Sequence, residues 1–141
     1  MNKKYIFILL VVIVICFITF STISLATTGF DVPSEFKTGN SDSRGSINLT
    51  DGTNSIYVFY YNDTDLNKHV DEYKRSVSNK NHEFEVSTFK VGDVLVNKVN
   101  VTDTLTTHYF FNHNGKSFDV YSWYSNDVTE NMVIKLIKGM G

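Results

Sequence analysis

Apolar and polar positions divide the chain into an N-terminal apolar run and a mixed remainder. After Lys3 and Lys4, an unbroken apolar stretch extends from Ile6 to Phe20, followed by Ser21, Thr22, Ile23, Ser24, Leu25 and Ala26. A positive start, an apolar stretch and a small-x-small end at Ser24-Leu25-Ala26 are the parts of a secretory signal peptide. Residues 5–26 would also make a helix of roughly 33 Å, enough to cross a bilayer core of about 30 Å. Two outcomes stay open: secretion after cleavage near Ala26, or retention in the membrane through residues 5–26. In both, the two lysines keep the N-terminus cytoplasmic and residues 27–141 are exported, on the outer face of the cell membrane if the helix is kept. Cys16 follows Ile15, not a small residue, which argues against a lipidated cysteine.

The remainder alternates on a shorter period. Residues 29–36 read as an extended lead-in around Pro33, and Thr38–Ser46 as a polar loop. A weak strand at Ser46–Thr50 and a strong one at Ser55–Tyr61 flank the Asp51-Gly52 turn. From Asn62 to Asn81, Leu66, Val70, Tyr73 and Val77 form one helical stripe, with Asp63 or Thr64 able to cap its start. Strands follow at Glu83–Val91, Val94–Val101, Leu105–Asn112 and Lys116–Tyr124. The last two flank Asn114-Gly115, a pair that tolerates the positive φ of a tight hairpin. A closing helix over Asp127–Lys138 carries Met132, Val133, Leu136, Ile137 and Met140, with Asp127 and Glu130 spaced as a capping box and Gly139 as its stop.

The predicted order, β-β-α-β-β-β-β-α, has hairpin-linked strands. It implies an α+β fold with a mainly antiparallel sheet of about five or six strands and two helices, preceded by an N-terminal apolar helix. Residues 1–26 are then a signal or anchor segment, and 27–141 a single extracytoplasmic domain. Both faces of the central strands are apolar: Ile56, Val58 and Tyr60 oppose Tyr57, Phe59 and Tyr61, and Phe118 and Val120 oppose Tyr121 and Trp123. Either a helix covers each face, as in an α/β/α sandwich, or one face is an exposed aromatic surface.

Composition narrows the function. The 141 residues are 42% hydrophobic and 20% charged with a single proline, which excludes a collagen-like or strongly disordered chain. Residues 27–141 hold 15 acidic and 11 basic residues, a formal charge of −4, and so do not suggest a nucleic-acid binder. With Cys16 the sole cysteine, the exported part has no thiol nucleophile and no disulfide-linked partner. Its stability must come from packing, for which eight Phe, seven Tyr and Trp123 supply material. Sequons at Asn48, Asn62 and Asn100 are compatible with surface glycosylation.

The lead-in Gly29-Phe30-Asp31-Val32-Pro33, the aromatic hairpin from Tyr109 through Asn114-Gly115-Lys116 to Phe118, and the closing helix from Val133 to Met140 resemble the PsbP-like superfamily over about residues 29–140. That resemblance implies an antiparallel sheet between helices and an accessory or binding role, with no catalytic motif to carry over.

The chemistry-bearing residues form no recognisable catalytic or metal motif. His69, His82, His108 and His113 lack the spacing of metal ligands, and the odd spacing of five from His108 to His113 points them to opposite faces of a strand unless the turn intervenes. No metal or cofactor is expected, and catalytic residues are expected to be none. Glu83 and Glu85 share a strand face, and Asp63, Asp65, Asp71 and Glu72 cluster about a helix. A small exported hydrolase using such carboxylates is the alternative function, favoured if two or more of Glu83, Glu85, Asp119 and the histidines meet in one deep pocket. The preferred function is a non-catalytic extracytoplasmic accessory or binding module at or near the membrane, meeting an envelope protein or glycan. Its candidate binding face is Tyr57, Phe59, Tyr61, Tyr121 and Trp123, although a helix-covered core is the preferred reading of these same aromatics.

Overall fold

The computed structural model describes residues 28–141; the signal or anchor reading of residues 1–26, Cys16 included, falls outside them. Among the described residues, the strands are β1 (Lys37–Thr38), β2 (Ile47–Thr50), β3 (Ser55–Tyr61), β4 (Phe84–Val91), β5 (Val94–Val101), β6 (Thr106–His113) and β7 (Lys116–Ser122). The helices are α1 (Leu66–Asn79), between β3 and β4, and α2 (Asp127–Gly139), after β7. Residues 33–141 form one compact unit. Residues 28–32 belong to another, in which the Thr28 hydroxyl donates to the Phe30 carbonyl at 2.8 Å.

All seven strands join one antiparallel sheet in the order β1-β2-β3-β7-β6-β5-β4. The β1–β3 meander and the β4–β7 meander therefore meet only along β3 and β7, where Tyr57 opposes Tyr121 and Tyr61 opposes Ser117. The sheet has one strand more than the upper expectation. The pair Lys37–Thr38, opposite Thr50 and Leu49, is too short and polar to register as a strand in sequence.

The strand alternation assigns two faces. One carries Leu49, Ile56, Val58, Tyr109, Phe111, Phe118 and Val120, all buried. Helix α2 lies on this face with Met132, Val133, Leu136 and Ile137 buried. Glu130 of α2 accepts from the Tyr109 hydroxyl at 3.1 Å and pairs with Lys98, while His113 Nε2 bonds the Met140 carbonyl at 3.1 Å. The opposite face carries Val99 and Phe110, which form a second core with Val70 of α1, flanked by Leu66, Tyr73 and Phe84. Each face thus receives one amphipathic helix, because each exposes apolar side chains that a helix stripe removes from water.

Both helix starts differ from the sequence expectation. Helix α1 is capped by Asp65, whose carboxylate accepts from Lys68 N at 3.3 Å. Helix α2 is capped by extended Asn126, not Asp127. Asn126 Oδ1 accepts from Thr129 N at 2.9 Å, and Thr129 Oγ1 accepts in return from Asn126 N at 3.0 Å. A threonine hydroxyl thus takes the part expected of Glu130, which is drawn away to Lys98 and Tyr109. Gly139 is the last residue of α2, with Met140 as the C-cap; a Cβ on Gly139 would lie 2.9 Å from Pro33 Cγ. The Asn114-Gly115 turn does adopt positive φ at both positions, 47° and 73°.

Candidate functional site

On the α1 face, β3, β7 and β6 lay side chains in register. Tyr57, Tyr121 and His108 form one row across the three strands, Phe59, Asp119 and Phe110 the next, and Tyr61, Ser117 and Asn112 a third. Helix α1 covers the β5–β6 side of this face. The β3–β7 side floors a cleft of about 1080 Å³, walled by α1 and by the loop between β1 and β2.

The first row is a stack. Tyr57 and Tyr121 rings lie 5.6 Å apart at 15°, Tyr121 and His108 lie 4.7 Å apart at 13°, and Tyr73 of α1 lies 3.8 Å from the His108 ring. Trp123 meets Tyr57 and Tyr121 edge-on at 6.3 and 5.7 Å.

The second row holds the charge. Asp119 is 2% exposed, in mid-strand between two phenylalanines. One carboxylate oxygen meets His108 Nδ1 at 2.7 Å and the other accepts from Arg44 Nη1 at 2.6 Å. Burial works against its ionisation, but His108 and Arg44 prevail and hold the carboxyl below the usual carboxylate range. Arg44 also donates to the Tyr61 hydroxyl at 2.7 Å and lays its guanidinium 4.0 Å above the Phe59 ring. Its loop is held by Asp42, whose Oδ1 accepts from Arg44 N and Ser46 N, each at 3.0 Å. Tyr121 donates its hydroxyl to Asp42 and lies 2.5 Å from Ser46 Oγ; burial and then that carboxylate push Tyr121 up to about 12.

A second histidine stands in the α1 wall. His69 is 5% exposed, stacks on Tyr61 at 3.5 Å and 8°, and directs Nε2 to both oxygens of Asp63 at 2.8 and 3.0 Å. That bond is the main reason the Asp63 carboxyl is held below its ordinary value. His69 Nδ1 is buried and has no hydrogen-bond partner.

The candidate binding face is therefore divided. Tyr57, Tyr61, Tyr121 and Trp123 line the cleft, whereas Phe59 is half-buried beneath Arg44. Tyr121 is buried, as the core reading has it, but Trp123 is 50% exposed and corrects that reading. The strand stops at Ser122, two residues earlier than expected, and Trp123 lies just beyond it. Asp119 meets His108 in the cleft; Glu83 and Glu85 are exposed and do not line it. Asp65 caps α1, Asp71 pairs with Lys74 at 3.6 Å, and Glu72 lines the cleft. His82 bonds Asp103 at 2.8 Å. His108 and His113 do lie on opposite faces. Among the described residues, no three His, Cys, Asp or Glu side chains gather to hold a metal ion.

Of the sequons, Asn62 is exposed. Asn100 holds the Thr107 hydroxyl at 2.9 Å. Asn48 is buried at 8% exposure, with its amide toward the Ile56 carbonyl, so the folded domain does not present it as a surface acceptor. Arg44, Asp42 and Tyr73 escaped sequence reasoning: a lone arginine in a polar loop reads as solvated, and only tertiary folding brings it to Asp119.

Comparison with family models, curated proteins and solved structures yields no match to the chain.

Proposed function

We propose that residues 27–141 are a non-catalytic extracytoplasmic binding module, held at or near the cell membrane, whose cleft captures an envelope ligand. The observation that carries this reading is Trp123: half-exposed, edge-on to two stacked tyrosines, and lining the cleft. Exposed tryptophan on an ordered aromatic base offers apolar area at little entropic cost, because its neighbours are already packed. The PsbP-like resemblance agrees with an accessory role. The export signal supports an extracytoplasmic location. Retention of isolated cell envelopes on the immobilised full chain tests the reading. Wild type should retain them and Trp123→Ala should not; equal retention by both would sink it.

One observation favours the hydrolase alternative. A buried aspartate on His108 Nδ1 is the arrangement that orients a general base, although its carboxylate comes from β7 and not from the surface. Turnover of 4-nitrophenyl acetate or a 4-nitrophenyl glycoside by wild type, lost in His108→Gln, would replace the binding reading with that one.

A further inference from the structure

The two edges of the sheet are unequal. Strand β1 closes one edge with two residues, too short to template another chain. Strand β4 ends the other, and among the described residues no strand lies beyond it. It runs eight residues, Phe84–Val91, in unbroken register with β5, with no proline, glycine or bulge. Glu85, Val86, Ser87 and Thr88 are all exposed, Val86 at 48%. One bond fixes which backbone groups point where. Thr102 N donates to the Glu83 carbonyl at 3.0 Å, so the odd-numbered residues of β4 face β5. Phe84, Val86, Thr88 and Lys90 therefore turn their N–H and C=O groups outward. Their side chains share the α1 face, where Phe84 flanks the second core.

That outward set matches its own reverse. We infer that β4 pairs antiparallel with β4 of a second copy of this chain, about a two-fold axis at Ser87 normal to the sheet. In this register Phe84 of one copy opposes Lys90 of the other, and Val86 opposes Thr88, each pair occurring twice. Four such pairs make about eight backbone hydrogen bonds. A slip either way leaves Phe84 or Lys90 without an outward partner on β4, so the axis at Ser87 is the one register that engages all four. Charge fits as well: each Lys90 meets an aromatic ring and not a like charge, and Glu85, on the opposite face, meets Phe89. Assembly stops at two, because the pairing consumes both long edges and leaves only the two-residue β1 edges. Two seven-stranded sheets become one of fourteen strands. The axis keeps both α1 faces on the same side, so the two β3–β7 clefts open the same way, about 40 Å apart at about 4.8 Å per strand. The pairing does not depend on what the cleft holds, but a ligand repeated on an envelope surface would engage both clefts at once.

The test measures the mass of the full chain in detergent micelles, by light scattering over a dilution series. Wild type should be a dimer. Ser87→Glu sets like charges directly opposite each other on the axis, while Lys98, its neighbour across the β4–β5 pair, favours the change in the monomer. It should weaken the dimer at least tenfold with the melting curve of the monomer kept. Thr88→Pro removes an outward N–H that β5 does not use and should do the same; if it does not fold, Ser87→Glu alone decides. In a Cys16→Ser background, Ser87→Cys should give a disulfide-linked dimer on mild oxidation, because the two positions lie about 4.5 Å apart in a non-hydrogen-bonded pair. A wild type monomeric at every concentration, a dimer that the folded edge variants leave intact, or a dimer that Ser87→Cys does not link would each overturn the inference.

Discussion

Asp119 Oδ2 lies 2.6 Å from Arg44 Nη1 across a gap of 75 residues, and this ion pair ties the β1–β2 loop to the middle of the sheet. The carboxylate side chain is 2% exposed and the guanidinium 34%. A buried charge of this kind is tolerated because both its oxygens are bonded, one to Arg44 and one to His108.

Removing Asp119 strands both partners. Asp119→Ala should destabilise the domain by about 3–5 kcal/mol, the scale for breaking a buried pair from one side. Urea unfolding measures it. A loss below about 1 kcal/mol, the scale of a surface ion pair, would mean that the carboxylate contributes no more than an exposed one.

The same group sets a pH dependence. Its folded-state pKa is depressed, so its contribution is fully present above the unfolded-state value of about 3.9 and is lost as pH falls through the folded value. Asp42 and Asp63 are shifted the same way and add to the slope. Melting temperature should fall with acidification below about pH 4, and Asp119→Ala should show a shallower fall over that range. Parallel curves would contradict the assignment.

Trp123 and Phe110 should respond oppositely to truncation. Phe110, 1% exposed, is core, and its change to alanine should cost about 3–5 kcal/mol. Trp123→Ala should cost under about 1 kcal/mol, as at other exposed sites. Fluorescence of the full chain, whose sole tryptophan this is, should be red-shifted and readily quenched. A blue-shifted, quencher-resistant spectrum would restore the core reading.

The start of α2 separates two candidate caps. Asn126→Ala should cost about 1 kcal/mol, because Thr129 N loses its acceptor. Asp127→Ala should cost only about 0.3–1 kcal/mol through the helix dipole. The reverse ranking in thermal unfolding would reinstate Asp127.

Gly139 tests close approach. In an open helix position alanine would stabilise by roughly 0.5–1 kcal/mol. Here its Cβ would meet Pro33 Cγ at 2.9 Å, so Gly139→Ala should destabilise by about 1–3 kcal/mol. A rise in melting temperature would show that the proline ring yields freely.

Sequence reveals elements whose cause is local. Ser55–Tyr61 and Val94–Val101 agree with the structure to the residue, because alternation and flanking turn residues fix a strand from within. The Asn114-Gly115 hairpin is legible for the same reason. Helix starts shift by a few residues where several short polar side chains compete for one cap, as Asp63, Thr64 and Asp65 do, and tertiary demand decides: Asp63 goes to His69 and Ser117, leaving Asp65 to cap. The site is less legible still. Arg44 and Asp119, or His69 and Tyr61, share no motif and meet only after the sheet order is set. The aromatics of β3 and β7 are visible as a set, but whether Trp123 is covered depends on how far α1 extends across the sheet, which no local pattern encodes.

The position of β7 bears on the order in which the chain acquires its cleft. The strand that completes the middle of the sheet is the last to be synthesised. Until it arrives, β3 has an open edge, and the β4–β6 meander has nothing on its inner side. Closing that seam joins residues some sixty positions apart, such as Tyr57 and Tyr121, the kind of distant pairing that slows folding and leaves edges exposed meanwhile. Asp119 arrives on the same strand, so Arg44 and His108 gain their counter-charge in the step that unites the two meanders. A chain truncated before Lys116 would therefore lack both a finished sheet and a finished cleft.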